Sequence, residues 1–406
     1  MEVLYYIMAF FAVLGGIDYI LGNRFGIGRE FQRGMMHLGV MMLSMVGMIT
    51  LTPLIELALS PLASVMTGII DPSLLPALFL ANDMGGAHLA IELANDPTMG
   101  QFNAFVVSSM MGVTVSFTVP YALGVVPKER QPDMLFGLLC GLVTVPIGCF
   151  VGGLIMGINV GVLFINILPL IVISGIIGFG VVKFPDACVR IFGGFGVFIK
   201  VVVIVGLIAA IAEKLTGIKF IPYTNELSVG TDIIINACCV LAGTFPLVNI
   251  ISRLLKKPLL SIGRRLEINE TSMVGIVATL ATNSTTFAIM GDMDAKGAKI
   301  NSAFAVSAAF VFGSHLGFTL AFLREVENPH PAIIPAVIVG KLVAGIFALA
   351  LAFALTAKKR GGGTCENTGS EKATASEGSP DADTAEESEG ETAPLSAKVT
   401  ADACES

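Results

Sequence analysis

The chain has 406 residues, of which 54% carry apolar side chains and 14% are charged, with a mean hydropathy of +0.82. Soluble proteins carry about 25% charged residues, so this chain has too little polar surface to cover a water-soluble fold of its length. A soluble enzyme, a disordered protein and a nucleic-acid binder are excluded, and an all-α polytopic membrane protein is expected.

The net charge of −7 conceals two parts. Residues 361–406 hold 11 acidic and 2 basic residues, so the remaining 360 carry a net charge of +2. The seven cysteines form no C-x-x-C pair. Cys140, Cys149, Cys188, Cys238 and Cys239 lie in or beside apolar runs and read as small buried hydrophobes.

A spanning helix needs about 20 mostly apolar residues. The first run, 3–22, follows only Glu2, with neither a basic region before it nor a small-residue cleavage site after it. It reads as an uncleaved span. Further spans are expected at 35–58, 102–126, 133–157, 161–182, 191–213, 231–255, 301–323 and 332–357, nine in all. Two more apolar runs, 73–95 and 271–293, carry polar or Gly-rich centres. These are Asn82-Asp83-Met84-Gly85-Gly86 and Thr282-Asn283-Ser284-Thr285. Unpaired backbone groups do not survive against lipid, so such breaks belong inside protein or beside a water-filled cavity. From Gly361 on, the chain lacks apolar periodicity and is expected to be a disordered acidic tail.

The two halves repeat, with repeat A at about 35–157 and repeat B at about 231–357. Leu80-Ala81-Asn82-Asp83 matches Leu280-Ala281-Thr282-Asn283 at an offset of 200, and 103–108 matches 302–307 at an offset of 199. Farther on, 147–153 resembles 339–345. Interrupted segments at corresponding places in two halves point to the binding site of a secondary transporter.

Loop charges decide how the interrupted segments run, because Lys and Arg concentrate on the cytoplasmic side. With the mid-span Lys200 and Lys341 and the tail set aside, two re-entrant segments put 17 basic residues inside and 3 outside. Two spanning segments would give 10 and 10. The re-entrant reading places the N-terminus outside, the tail in the cytoplasm, and the second repeat upside down relative to the first. At 23 residues each, these segments could also span once with an unwound centre.

Candidate site residues follow from the breaks. Asp83, with Asn82 and the free carbonyls that end a half-helix, suits a small cation such as an ammonium group. Thr282, Asn283 and Ser284 form a neutral opposing break suited to a substrate hydroxyl. His315 reads as a site wall, a proton relay or a packing residue. Lys341 is expected to form a structural or gating ion pair with a carboxylate such as Asp83, Glu56 or Asp18, and Lys200 is expected to find a similar partner. His88 and Glu92 share a helix face and read as a solvated rim. No H-E-x-x-H, P-loop or Ser/His/Asp motif occurs, which argues against an enzyme, a metal site, a cofactor or ATP-driven transport by this chain alone.

Several stretches together resemble the ethanolamine utilisation permease family of bacteria. They are Leu80 to Gly86, Val145 to Cys149, Asn301 to Phe310, Met45 to Met48, Ile276 to Ala281 and Val339 to Leu342. The resemblance covers roughly 3–357 and implies carriage of ethanolamine across the bacterial cytoplasmic (inner) membrane, feeding catabolism in a microcompartment. The family pattern has an Asp before the histidine of an Asp-His-Leu-Gly-Phe stretch, where this chain has Ser314 before His315. Ethanolamine, an ammonium with a hydroxyl, fits Asp83 and the Thr282/Asn283/Ser284 break, and alternating access about the two breaks would carry it. A transporter of another small solute, an organic anion or amino acid, on the same scaffold is the alternative. Proton or sodium coupling, facilitated diffusion and homo-oligomerisation all stay open.

Overall fold

The computed structural model describes residues 2–66, 68–266 and 268–358. The acidic tail expected to be disordered lies outside the described residues. The described chain is all-α, and its elements follow from where apolar runs stop. Helix α1 is Glu2–Ile20, and α2 runs over Gly28–Met66 through a π-turn at Met42–Val46. Two short helices follow, α3 (Leu74–Phe79) and α4 (Gly86–Glu92). Then come α5 (Pro97–Val125), α6 (Gln131–Ile155), α7 (Val160–Lys183), α8 (Pro185–Thr216) and α9 (Leu227–Leu266). A second short pair is α10 (Glu270–Ala281) and α11 (Asn283–Ala288). The chain closes with α12 (Ala295–Ser307), α13 (Ser314–Phe322) and α14 (Ile333–Lys358). Eight helices among the described residues are long and apolar enough to cross a membrane: α1, α2, α5 to α9 and α14.

The segment carrying α3 and α4 begins and ends at one place. Asp71 Oδ2 accepts the N–H groups of Asn95 at 3.1 Å and Asp96 at 3.0 Å. Between the helices, Leu80 and Ala81 are extended, Asn82–Met84 form one 3-10 turn, and Gly85 takes φ +90°. That left-handed position favours glycine, which has no Cβ to clash. The freed backbone groups find partners in α5. Ser108 donates to the Leu80 carbonyl at 2.6 Å, and the Ala81 N–H donates to Ser116 Oγ at 3.2 Å. Such pairing is what an interrupted segment needs away from water.

The α10–α11 segment closes in the same manner. The Asn269 N–H donates to Asp294 Oδ1 at 3.0 Å and its amide to the Asp292 carbonyl at 2.8 Å. The chain turns at Thr282, which is extended, and Thr279 and Thr286 hydroxyls meet across the two arms at 2.8 Å.

The two hairpins start from opposite faces of the bundle, and α6 measures this. Its first turn lies with the base of the second hairpin, where Asp133 pairs with Lys299 at 3.2 Å. Just past its other end, Ile158 and Asn159 share a cavity with Asp71, Asn95 and Asp96. A helix of 25 residues separates these ends by about 37 Å. In its second half α6 crosses α14 glycine to glycine: a Cβ on Gly148 would stand 2.5 Å from the Gly340 carbonyl, and one on Gly340 2.8 Å from that of Gly148.

The expected continuous span at 301–323 is instead broken. Helix α12 stops at Ser307 and α13 starts at Ser314. In the turn between, Phe310 has φ +59°, and the N–H groups of Phe310 and Phe312 donate to the carbonyls of Thr279 and Leu280. The end of α10 thus takes over backbone pairing that a continuous helix would have kept to itself. The crossing is still completed: beyond α13, the Asn328 carbonyl and the His330 N–H bond to Gln101, near the base of the first hairpin.

Candidate substrate site at the hairpin tips

The tip of the first hairpin presents two polar side chains. Asn82 is fully buried; its amide donates to Thr319 Oγ1 at 3.3 Å, and its Oδ1 has no partner. Asp83, with a side chain 20% exposed, accepts a hydrogen bond from Ser314 at 3.2 Å and faces His315 Nε2 at 3.7 Å. The broken crossing delivers both partners, since Ser314 and His315 are the first residues of α13. A continuous helix would have buried their amides in its own ladder and turned the side chains by helix phase alone.

His315 joins two further groups. Its ring stacks on Phe310 at 4.6 Å, and its Nδ1 lies 3.4 Å from Lys341 Nζ. Lys341 is 0% exposed and donates to the Ser109 carbonyl. The direct Lys341–carboxylate ion pair expected from sequence is not formed; the imidazole stands between the ammonium and Asp83. The other two proposed partners are also elsewhere. Asp18 accepts the N–H groups of Phe25, Ile27 and Gly28 at 2.8–2.9 Å and so caps the start of α2. Glu56 on α2 lies within electrostatic reach of Glu92, a like charge. Lys200, also expected to be paired, is exposed on α8.

At the second tip, Thr282 accepts the Ser284 N–H at 3.3 Å. Asn283 is fully buried and donates to Thr118 Oγ1 at 2.9 Å, leaving its Oδ1 without a partner. The Ser284 carbonyl accepts from Tyr121 at 3.5 Å. Tyr121 stacks on Phe117, which meets Phe310 edge to face at 6.0 Å, and Met84 packs against the same cluster. Sequence reasoning missed this aromatic wall. The four-residue spacing of Phe117 and Tyr121 puts both rings on one helix face, but nothing local shows that Phe310 would leave its helix to join them.

Of two cavities in the bundle, the smaller is lined by a tip residue, Thr282, and the larger by none. One of about 200 Å³ is lined by Glu30, Arg33, Asn249, Thr282, Phe310 and Ser314. Ser314 therefore touches both this cavity and Asp83. The other, about 690 Å³, lies beyond α4 on the opposite face and is lined by His88, Glu92, Asp232, Glu325 and Glu327. His88 and Glu92, read from sequence as a rim, are in its wall.

The family model described as "Ethanolamine utilisation protein, EutH" matches residues 1–355. A probable ethanolamine permease EutH of Listeria monocytogenes is 42% identical over 352 residues, covering 86% of this chain and 92% of that protein. The uncharacterized protein YxeR of Bacillus subtilis is 39% identical, covering 86% and 94%. The probable ethanolamine permease EutH of Salmonella typhimurium is 34% identical, covering 88% and 96%. No solved structure matches the chain. A family match over nearly the whole membrane body, with relatives this similar along almost their full length, shows that the chain belongs to the EutH family of ethanolamine utilisation proteins.

Proposed function

We propose that this protein is a permease that imports ethanolamine across the bacterial cytoplasmic membrane. The observation that carries the reading is Asp83, a carboxylate at the tip of an interrupted segment that accepts a hydrogen bond from Ser314, which lines the smaller cavity. At neutral pH ethanolamine is an ammonium with a hydroxyl two carbons away. Asp83 takes the ammonium, because a carboxylate inside the bundle favours a cationic partner. The hydroxyl is left for an acceptor at the tips, where Asn82 Oδ1 and Asn283 Oδ1 are both buried without partners. Orphaned buried acceptors are costly, and a ligand hydroxyl relieves that cost.

Transport would proceed by alternating access around the two hairpins. Reciprocal contacts support this. Asn82 of the first tip bonds Thr319 of the second half, and Asn283 of the second tip bonds Thr118 of the first. The halves therefore grip each other at matching points and can rock about the Gly148–Gly340 crossing. The face bearing Arg24, Arg253 and Lys299 is the cytoplasmic one by its basic loops. The four carboxylates around the larger cavity then face outside, where they attract a cationic solute. The test is uptake of radiolabelled ethanolamine into vesicles containing the protein, against a competitor panel. Inhibition by amino alcohols is expected. Inhibition by carboxylates alone would instead favour an organic anion or amino acid as the substrate.

A further inference from the structure

Lys341 is the most deeply buried cation in the described site, and the groups facing it come from four elements. They are the Ser109 carbonyl on α5, the Cys149 thiol on α6, His315 on α13 and, beyond the imidazole, Asp83 at the first hairpin tip. An ammonium only donates, so while Lys341 is charged the His315 Nδ1 that faces it accepts. The ring proton then sits on Nε2, which faces Asp83 Oδ1 at 3.7 Å. Ammonium, imidazole and carboxylate follow one another at 3.4 and 3.7 Å, with one positive and one negative charge between them. A substrate ammonium at Asp83 would add a second positive charge to a place where unbalanced charge is strongly disfavoured.

We infer that this site holds one mobile positive charge at a time, so that ethanolamine enters in exchange for a proton stored on the Lys341–His315–Asp83 line. The inference rests on the reading of Asp83 as the ammonium site. The transfers balance. Lys341 Nζ passes a proton to His315 Nδ1 while the Nε2 proton passes to Asp83 Oδ1. This leaves an amine, a neutral imidazole and a carboxylic acid. The acid releases its proton to water on the side from which substrate arrives, and the carboxylate takes the substrate ammonium. After substrate leaves on the opposite side, a proton from that side returns to Asp83 and the line runs backward to restore the Lys341 ammonium. One proton moves out for each ammonium moved in, and no net charge crosses.

The test uses the full-length protein in liposomes with a clamped potassium potential and radiolabelled ethanolamine, with protein-free liposomes subtracted. Exchange predicts an initial uptake rate unchanged by an inside-negative potential and raised by an acidic interior. One uncompensated charge would instead follow the potential, with accumulation of up to about fifty-fold at 100 mV. Uptake that follows the potential and ignores the pH gradient overturns the exchange while leaving the permease reading intact. Absence of any protein-dependent uptake overturns the permease reading and the exchange with it. A second measurement is titration calorimetry of purified protein with ethanolamine in buffers of different ionisation enthalpy. Release of about one proton per ethanolamine bound is expected, and binding with no proton release overturns the exchange.

Discussion

Asn82 donates its amide to Thr319 across the boundary between the two halves of the chain, 3.3 Å away and 237 positions on. The bond has a counterpart, Asn283 to Thr118 at 2.9 Å. The two asparagines are 201 positions apart, and so are the two threonines. Each broken tip is thus pinned by a hydroxyl from the other half of the chain.

Thr118→Val removes a hydroxyl and keeps the side-chain volume. It leaves the buried Asn283 amide short of a partner, which costs about 1–3 kcal/mol. Thr319→Val is expected to cost a similar amount through Asn82. Thermal unfolding of the purified variants in detergent checks both, and unchanged midpoints would show that the reciprocal bonds do not hold the tips.

The crossing of α6 and α14 allows no side chain on either glycine. Gly340→Ala places a Cβ 2.8 Å from the Gly148 carbonyl, so the helices must separate. A loss of about 1–3 kcal/mol is expected, and if the proposed rocking pivots here, transport is impaired beyond the stability loss. The check is an unfolding midpoint measured beside an uptake rate corrected for protein amount.

The base of the second hairpin depends on pH. Burial tends to raise the Asp294 carboxyl, but the N–H groups of Asn269 and Gly297 and the Ser272 hydroxyl outweigh it and hold the group below the usual carboxylate range. A depressed carboxylate contributes stability that is present above its unfolded value and lost as pH falls through its folded one. Hydrogen exchange around 290–297 is therefore expected to accelerate as pH drops below about 4, after correction for intrinsic exchange. Asp294→Asn keeps a capping side chain and should flatten that dependence.

Much of this architecture was legible in the sequence because long apolar runs have few alternatives in a membrane. The breaks at Asn82-Asp83 and Thr282-Asn283 announced themselves as polar residues where lipid forbids them. The break after Ser307 did not. Residues 308–313 are Ala, Phe, Val and Gly, and the helix stops there because α10 backbone carbonyls compete for the Phe310 and Phe312 amides. Competition of that kind is tertiary and leaves no local pattern. The partner of Lys341 was hidden for the same reason. Charge complementarity alone suggested a carboxylate, but the fold inserted His315 between the two charges. The breaks also had no visible connection to Thr118 or Thr319, because both bonds join residues more than 160 positions apart.

Uptake by Asp83→Asn tests the central claim most directly. The amide keeps the shape and the hydrogen bond from Ser314 but removes the charge proposed to hold the ammonium. Loss of one partner of a buried charged pair costs about 2–5 kcal/mol, so ethanolamine uptake at limiting concentration should fall at least about thirty-fold at equal membrane abundance, with partial recovery in Asp83→Glu. Uptake by Asp83→Asn at the wild-type rate would contradict the account, because the ammonium would then bind somewhere other than the first hairpin tip.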